Sequence, residues 1–305
     1  MLQLIQHQHI DFVKWDNCVK NAHNSLLYVH SFYLNIASNN QWHALVLNDY
    51  EAVMPLIYRK KYGISYLYQP AFLQQTGIYS AVQLSKTDQQ NFINKAIGLY
   101  KFIEININYN NEISSIEHLY IAQKNNFIID LQQGYSVIKK NFNTIFNKNI
   151  KAANNKQLQY QECNDADAVI DLYEQLYANR VTSFKKSDFD FIKKIAAHAA
   201  LHYQLIIRTV TYQNNTVAAA LLLKDDYRLY NIISCITAQG KKLCANHFLY
   251  NALIKEFEGQ PLILDLEGSD VKGIAAFYQS MGAINQPYTF IKYNQLPKLI
   301  RLIKK

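Results

Sequence analysis

The sequence has little of what would mark a secreted, membrane-spanning or metal-binding chain. Its four cysteines, Cys18, Cys163, Cys235 and Cys244, are scattered and form no CxxC pair. That argues against a zinc site and predicts free thiols in a cytoplasmic protein. The longest apolar runs, such as residues 217–223, are far too short to cross a bilayer. The first dozen residues, MLQLIQHQHIDF, lack a charged start followed by an apolar core, so no signal peptide is expected. There is no Walker A motif, no GxSxG, no HExxH and no Rossmann GxGxxG, and the histidines are dispersed. No Gly/Ser/Pro-rich linker and no low-complexity stretch interrupts the chain.

What is present is a globular composition. Half of the 305 residues are hydrophobic and 18% are charged, enough to build one large or two ordinary domains. The net charge of +8 favours anionic partners such as nucleotides, RNA or anionic membranes. No dense Lys/Arg block focuses it, so a bias toward Lys, Asn, Ile and Tyr accounts for it equally well.

The hydrophobic pattern runs through one order of elements twice. Residues 11–22 have helical spacing, with Phe12, Trp15, Cys18 and Val19 on one face, and a second helix is expected over 30–37. "QWHALVLNDYEAVMPLIYRKK" then reads as strand, Asn48–Asp49 turn and strand. "GISYLYQP" is a strand, "TDQQNFINKAIGLY" a helix capped by Thr87 or Asp88, and "FIEININ" a strand. In the second half, "YQLIIRTVTYQNNTVAAALLLKDD" is strand, Asn214–Asn215 turn and strand. "RLYNIISCI", "ANHFLYNALIKEF" and "PLILDLEG" follow as strand, helix and strand. Matched positions lie roughly 160 residues apart, as with Val53 and Val217. The expectation is two copies of one α/β unit, each a mixed sheet flanked by helices, spanning 1–140 and 141–305. Between them lie a basic helix carrying Lys140, Lys148 and Lys151, a strand over 158–162, and two helices. The second of these is expected to be capped by Ser187 or Asp188.

The closing segment "LDLEGSDVKGIAAFYQSMGA" concentrates the chemistry. A strand over 262–266 should end at Glu267 and Gly268, with Gly268 free to adopt a conformation closed to other residues. Ser269 or Asp270 should cap the next helix, whose apolar face carries Ile274, Phe277 and Met281, with Tyr278 beside it. Gly282 should end that helix. Strand alternation puts Asp265 and Glu267 on one face. Each has a plain structural reading beside the functional one: a packed tyrosine and a pair of strand-end acids.

The pattern of residues 274–282, IAAFYQSMG, resembles the A-x-x-x-Y-x-x-x-G helix of GNAT acyltransferases. That likeness implies that Tyr278 protonates the thiolate leaving coenzyme A. The companion pyrophosphate turn would be "TAQGKKLCANHF", with Gln239, Gly240, Lys241, Lys242 and Ala245 as cofactor-binding residues. Its register departs from Q/R-x-x-G-x-G/A, because Leu243 stands where Gly belongs. The chain from 42 to 293 resembles more specifically the Fem family of aminoacyltransferases, which are tandem GNAT-like proteins. "NKNIKAANN", "VIDLYEQLYANR" and the closing strand-helix carry that likeness. It implies transfer of an acyl or aminoacyl group from acyl-CoA or aminoacyl-tRNA to an amine, with a cell-wall precursor as the family's acceptor. Glu267 or Asp265 would orient or deprotonate the amine. Lys148, Lys151 and Arg180 would bind phosphates of a nucleotide-linked or tRNA-borne substrate. Tyr68, Gln69 and Gln74, in "YLYQPAFLQQTGIYS", would border a cleft. The alternative is a binding protein that keeps the fold without the chemistry.

Overall fold

A computed structural model describes residues 1–177, 185–202, 204–268 and 270–297. The chain divides into two compact units, Met1–Lys124 with Pro287–Lys305, and Asn125–Gln286.

The first unit opens with β1 (Leu2–Ile5), α1 (Phe12–Asn21), α2 (Ser31–Ser38), β2 (Trp42–Leu47) and β3 (Ala52–Lys61). It continues with β4 (Ile64–Tyr68), β5 (Tyr79–Ser80), α3 (Lys86–Leu99), β6 (Phe102–Ile107) and β7 (Leu119–Lys124). The second unit holds β8 (Phe127–Asp130), α4 (Tyr135–Lys140), α5 (Thr144–Asn154), β9 (Gln159–Glu162), α6 (Ala166–Tyr177) and α7 (Lys186–His202). After these come β10 (Gln204–Tyr212), β11 (Asn215–Lys224), β12 (Arg228–Ile236), α8 (Ala238–Lys242) and α9 (Ala245–Glu256). β13 (Ile263–Asp265), α10 (Lys272–Ser280) and β14 (Ile284–Asn285) complete it, and β15 (Tyr288–Asn294) ends the described chain.

Each unit has its own mixed sheet. In the first the order is β1-β2-β3-β4-β6-β15-β7, with β5 against β3; in the second it is β14-β8-β13-β12-β11-β10-β9. The final strand therefore belongs to the first unit, where β15 pairs antiparallel with both β6 and β7. Conversely, β8 pairs with β13 in the second. The units separate at 124/125 and again at 286/287 rather than at 140/141. Strand order along the chain carries no sign of this exchange, because β8 and β15 read as strands whichever sheet they join.

Both sheets repeat one motif: an antiparallel meander, a helix, then a strand parallel to the meander's last member. In the first unit these parts are β2-β3-β4, α3 and β6; in the second they are β10-β11-β12, α9 and β13. Burial on both faces explains the apolar run of β11. Ala218, Ala220 and Leu222 share a core with Leu249, Leu253 and Phe146 of α9 and α5. The intervening Ala219, Leu221 and Leu223 are equally buried, and α6 and α7 pack against β10, β11 and β12. In the first unit, Leu45, Met54, Leu67, Ile103 and Ile105 of the sheet pack with Phe92, Ile93 and Ala96 of α3.

Local chemistry moves several expected boundaries. Tyr212 pairs directly with Asn215, so the tight turn is Gln213–Asn214 and Asn215 already belongs to β11. Both turn residues have positive φ, as a two-residue hairpin of right-handed twist requires. The cap of α3 is Ser85, whose hydroxyl accepts from the Asp88 amide at 3.0 Å and donates to the Asp88 carboxylate. Ser187 and Asp188 lie inside α7, and Asp188 accepts from the Lys185 amide. Before α10 the cap is Val271; Asp270 instead accepts from Asn125, and Ser269 lies outside the described residues. On α10, Met281 and Tyr278 are buried while Ile274 is exposed, so the apolar stripe is rotated toward the tyrosine.

Candidate functional site

The site is built where β12 and β13 part. They pair in parallel over only three residues, Arg228↔Ile263, Leu229↔Leu264 and Tyr230↔Asp265. β13 then stops: the Leu266 amide turns to the carbonyl of Phe127, and the Glu267 amide donates to the Asp265 carboxylate. β12 runs on through residues 231–236, where β11 is its only strand partner among the described residues. A bulge at Ile232, between the pairs Leu222↔Asn231 and Leu221↔Ile233, bends β12 just past the parting point. The result is a wedge-shaped opening in the sheet of the second unit.

Glu267 takes the left-handed conformation at the end of β13, with φ +59°. A non-glycine residue held there stores strain of about 1–3 kcal/mol, and such strain concentrates at functional positions. It also means that strand alternation does not reach Glu267, so the shared face expected for Asp265 and Glu267 does not form. Their environments differ sharply. Asp265 is 1% exposed and bound to the buried Arg228 guanidinium at 2.8 Å. Arg228 donates in addition to Gln286. Glu267 keeps part of its surface open but is densely surrounded, and desolvation pushes its carboxyl up to about 8.

Tyr278, on α10, is 8% exposed and stacks near Phe127 and Phe277. Its hydroxyl has no hydrogen-bond partner among the described residues. Burial first, then the neighbouring Tyr250, Glu267, Tyr173 and Asp265, hold the phenol well above its ordinary range, so it stays protonated. Tyr250 of α9 and Tyr173 of α6 are raised by burial to about 12. Tyr173 also packs on Tyr177 with ring centroids 5.0 Å apart. The sequence reading overlooked Tyr250 and Asn231. The Asn231 side chain donates to the Tyr250 hydroxyl at 2.9 Å, while its own Oδ1 has no partner. No spacing in the sequence signals this pair, because it joins a strand and a helix that meet only in the fold.

The expected pyrophosphate turn is mostly self-satisfied. Thr237 caps α8 and accepts the Gly240 amide, and the Lys241, Leu243 and Cys244 amides bond within the turn. A Cβ on Gly240 would lie 2.2 Å from the Val217 carbonyl oxygen, so that glycine lets α8 pack on β11. Gln239, Lys241 and Lys242 are exposed, Ala245 is buried at the start of α9, and Cys244 before it has φ +58°. Burial lowers His247 in the first turn of α9 to about 4, so its ring is neutral and adds no positive charge. It meets Asn149 of α5 at 3.0 Å.

Lys148 and Lys151 are on the exposed side of α5, opposite Phe146, Ile150 and Ala153. Arg180 lies outside the described residues. Tyr68, Gln69 and Gln74 belong to the first unit. There the Arg59 guanidinium sits 3.9 Å above the Tyr68 ring, Gln69 accepts from the Asn106 amide, and Gln74 accepts from Gln75. No group of three or more His, Cys, Asp or Glu able to hold a metal occurs among the described residues. Nor, among these, is any helix long and apolar enough to cross a membrane.

No protein-family model and no curated protein matches the chain. Solved structures do, at low identity. FemX matches with a TM-score of 0.66 and 11% identity, over 99% of this chain and 100% of its own. The C-terminal domain of a putative lysylphosphatidylglycerol synthetase from Agrobacterium fabrum matches at 0.59 and 10%, covering 96% and 95%. A tandem GNAT protein from the clavulanic acid biosynthesis pathway matches at 0.54 and 7%, covering 98% and 100%. With these likenesses spanning nearly the whole chain, the protein has the tandem GNAT fold, of the kind found in FemX.

Proposed function

We propose that the second unit is an N-acyltransferase and that its reaction takes place at the opening between β12 and β13. The observation that carries this reading is the pairing, beside that opening, of an unengaged protonated phenol with a carboxyl raised to about 8. Acyl transfer to an amine needs both parts. The amine nitrogen attacks the acyl carbonyl carbon and gives its proton to the Glu267 carboxylate. The bond from that carbon to the leaving group breaks, and the leaving anion takes the Tyr278 proton. A base titrating near 8 is well matched to removing a proton as an amine attacks. A phenol held protonated offers its O–H to the charge that develops on the leaving group. Asp265, committed to Arg228, serves as the buried support of the turn that presents Glu267.

The description of the tandem GNAT neighbour names AcCoA, so acyl-CoA is the donor to test first. The internally bonded α8 leaves fewer free amides for a pyrophosphate than an open turn does. Lys241, Lys242, Gln239 and the start of α9 would then hold the phosphates, and the exposed Lys148 and Lys151 would add charge. Aminoacyl-tRNA is the second arm of the experiment.

Purified protein is incubated with labelled acetyl-CoA, or separately with charged tRNA, and a panel of primary amines. N-acylated product is expected, at a rate that rises with pH through about 8 as Glu267 ionises. Tyr278→Phe should lower kcat by about 10²-fold with an unchanged unfolding midpoint. If neither donor yields product with any amine, the protein is a binding module that retains the fold.

A further inference from the structure

Among the buried polar atoms of the second unit without a hydrogen-bond partner, the Asn231 Oδ1 is the one that borders the opening. Asn231 is 4% exposed, yet its Oδ1 has no hydrogen-bond partner. Buried polar groups are ordinarily satisfied, and an exception calls for an explanation. Its position offers one. Asn231 is the first residue of β12 beyond the last pair with β13, Tyr230↔Asp265, and it borders the bulge at Ile232. Its Nδ2 is held by the Tyr250 hydroxyl at 2.9 Å, which fixes the amide. Tyr250 in turn lies within electrostatic reach of the Tyr278 phenol. The amide thus stands at the apex of the opening, on the side where α9 and α10 bring their tyrosines.

We propose that Asn231 binds the amine substrate: its side-chain carbonyl oxygen accepts a hydrogen bond from the N–H of a primary amine lodged in the opening. This rests on the acyl-transfer reading for the identity of the ligand, but not for the existence of the site. The chemistry around it suits an amine. Phenol rings of Tyr173 and Tyr250 and the Glu267 carboxyl gather near Tyr278. Arg228 is already matched by Asp265. A primary amine brings the N–H donor that Oδ1 lacks, and it places its nitrogen in an electron-rich pocket. The Tyr250 bond stops the amide from turning away when the site is empty.

The test separates hydrogen bonding from charge. The unfolding midpoint of the full chain is measured with n-butylamine and with butyltrimethylammonium, which has the same charge but no N–H. Butylamine should raise the midpoint at concentrations where butyltrimethylammonium does not. In Asn231→Leu this difference should vanish. In Asn231→Asp, which retains an acceptor oxygen, it should persist, and that variant decides should the leucine variant not fold. Equal shifts from the two probes, no shift from either, or an undiminished butylamine effect in Asn231→Leu would overturn the assignment, as would its loss in Asn231→Asp. If butylamine binds as described but no donor supports turnover, the amine site stands and the acyltransferase reading falls. Turnover with an unaltered amine KM in Asn231→Leu would sink the amine site alone.

Discussion

In the first unit the parallel strand pair is β4 and β6; in the second it is β12 and β13. Both pairs close the same repeated motif, and both come apart after a few residues. In the first unit the gap is stitched shut by the loop that follows β4. Gln69 accepts the Asn106 amide at 3.0 Å, the Asn106 side chain donates to the Gln74 carbonyl, and the Thr76 amide donates to Asn106. Thr76 even forms a parallel bridge with Ile107, so the loop replaces the missing strand. In the second unit no such stitch is present among the described residues. Past Tyr230 the edge of β12 that pairs with β13 has no further strand partner among them, and tyrosines, a strained glutamate and an unsatisfied asparagine gather beside it. Backbone groups must find partners somewhere. One copy satisfies them locally, and the other leaves room for a ligand. The lesson is that duplication preserved the strand order while only one copy retained an opening.

The comparison can be broken most strongly at the Arg228–Asp265 pair, which holds β12 and β13 together where they still touch. Asp265→Ala leaves a buried guanidinium without its partner, and loss of about 3–5 kcal/mol is expected. Denaturant unfolding of the full chain measures it. A loss below 1 kcal/mol would mean that the pair does not anchor the parting point. At the first unit's junction the corresponding connection is the amide stitch. Gln69→Ala should cost about 1–3 kcal/mol, the penalty of a stranded backbone donor, while leaving turnover unchanged. The opposite result, intact stability with a raised substrate KM, would make Gln69 a substrate-binding residue after all.

Much of this was legible in the sequence, and the misses share a cause. The repeat of hairpin, strand, helix and strand was readable because each element carries its own periodicity and turn residues. The strand, turn and helix that carry Glu267 and Tyr278 were readable because they are local. The exchange of β8 and β15 was not, since an apolar strand does not state which sheet it completes. Asn231 and Tyr250 lie 19 residues apart on different elements, and only tertiary packing joins them. Gly240 drew attention as a phosphate-turn glycine, yet its missing Cβ is needed against Val217, a contact invisible in one dimension. Gly268 drew attention as the residue of special conformation, and its neighbour Glu267 has positive φ as well as a side chain, which no local preference signals. A functional site is where local preference is most readily overruled.

The pH dependence of stability sharpens the comparison at that glutamate, a half-buried residue. Its folded-state pKa of about 8 exceeds the ordinary value near 4.5 because burial disfavours the charged form. The folded protein therefore holds this proton more tightly than the unfolded chain does. Its contribution is full below about pH 4.5 and is lost as pH rises through 8, since folding then opposes ionisation. Glu267→Gln should remove that slope, making the variant relatively more stable at pH 8 than at pH 5. The measurement is the unfolding midpoint of both proteins across that pH range. If the two run parallel, Glu267 is not held neutral in the fold, and a base that ionises well below 8 would have to replace it in the acyl-transfer step. If they diverge as expected, the variant gains stability where it loses turnover, which is the relation expected of a group kept in an unfavourable environment for its chemistry.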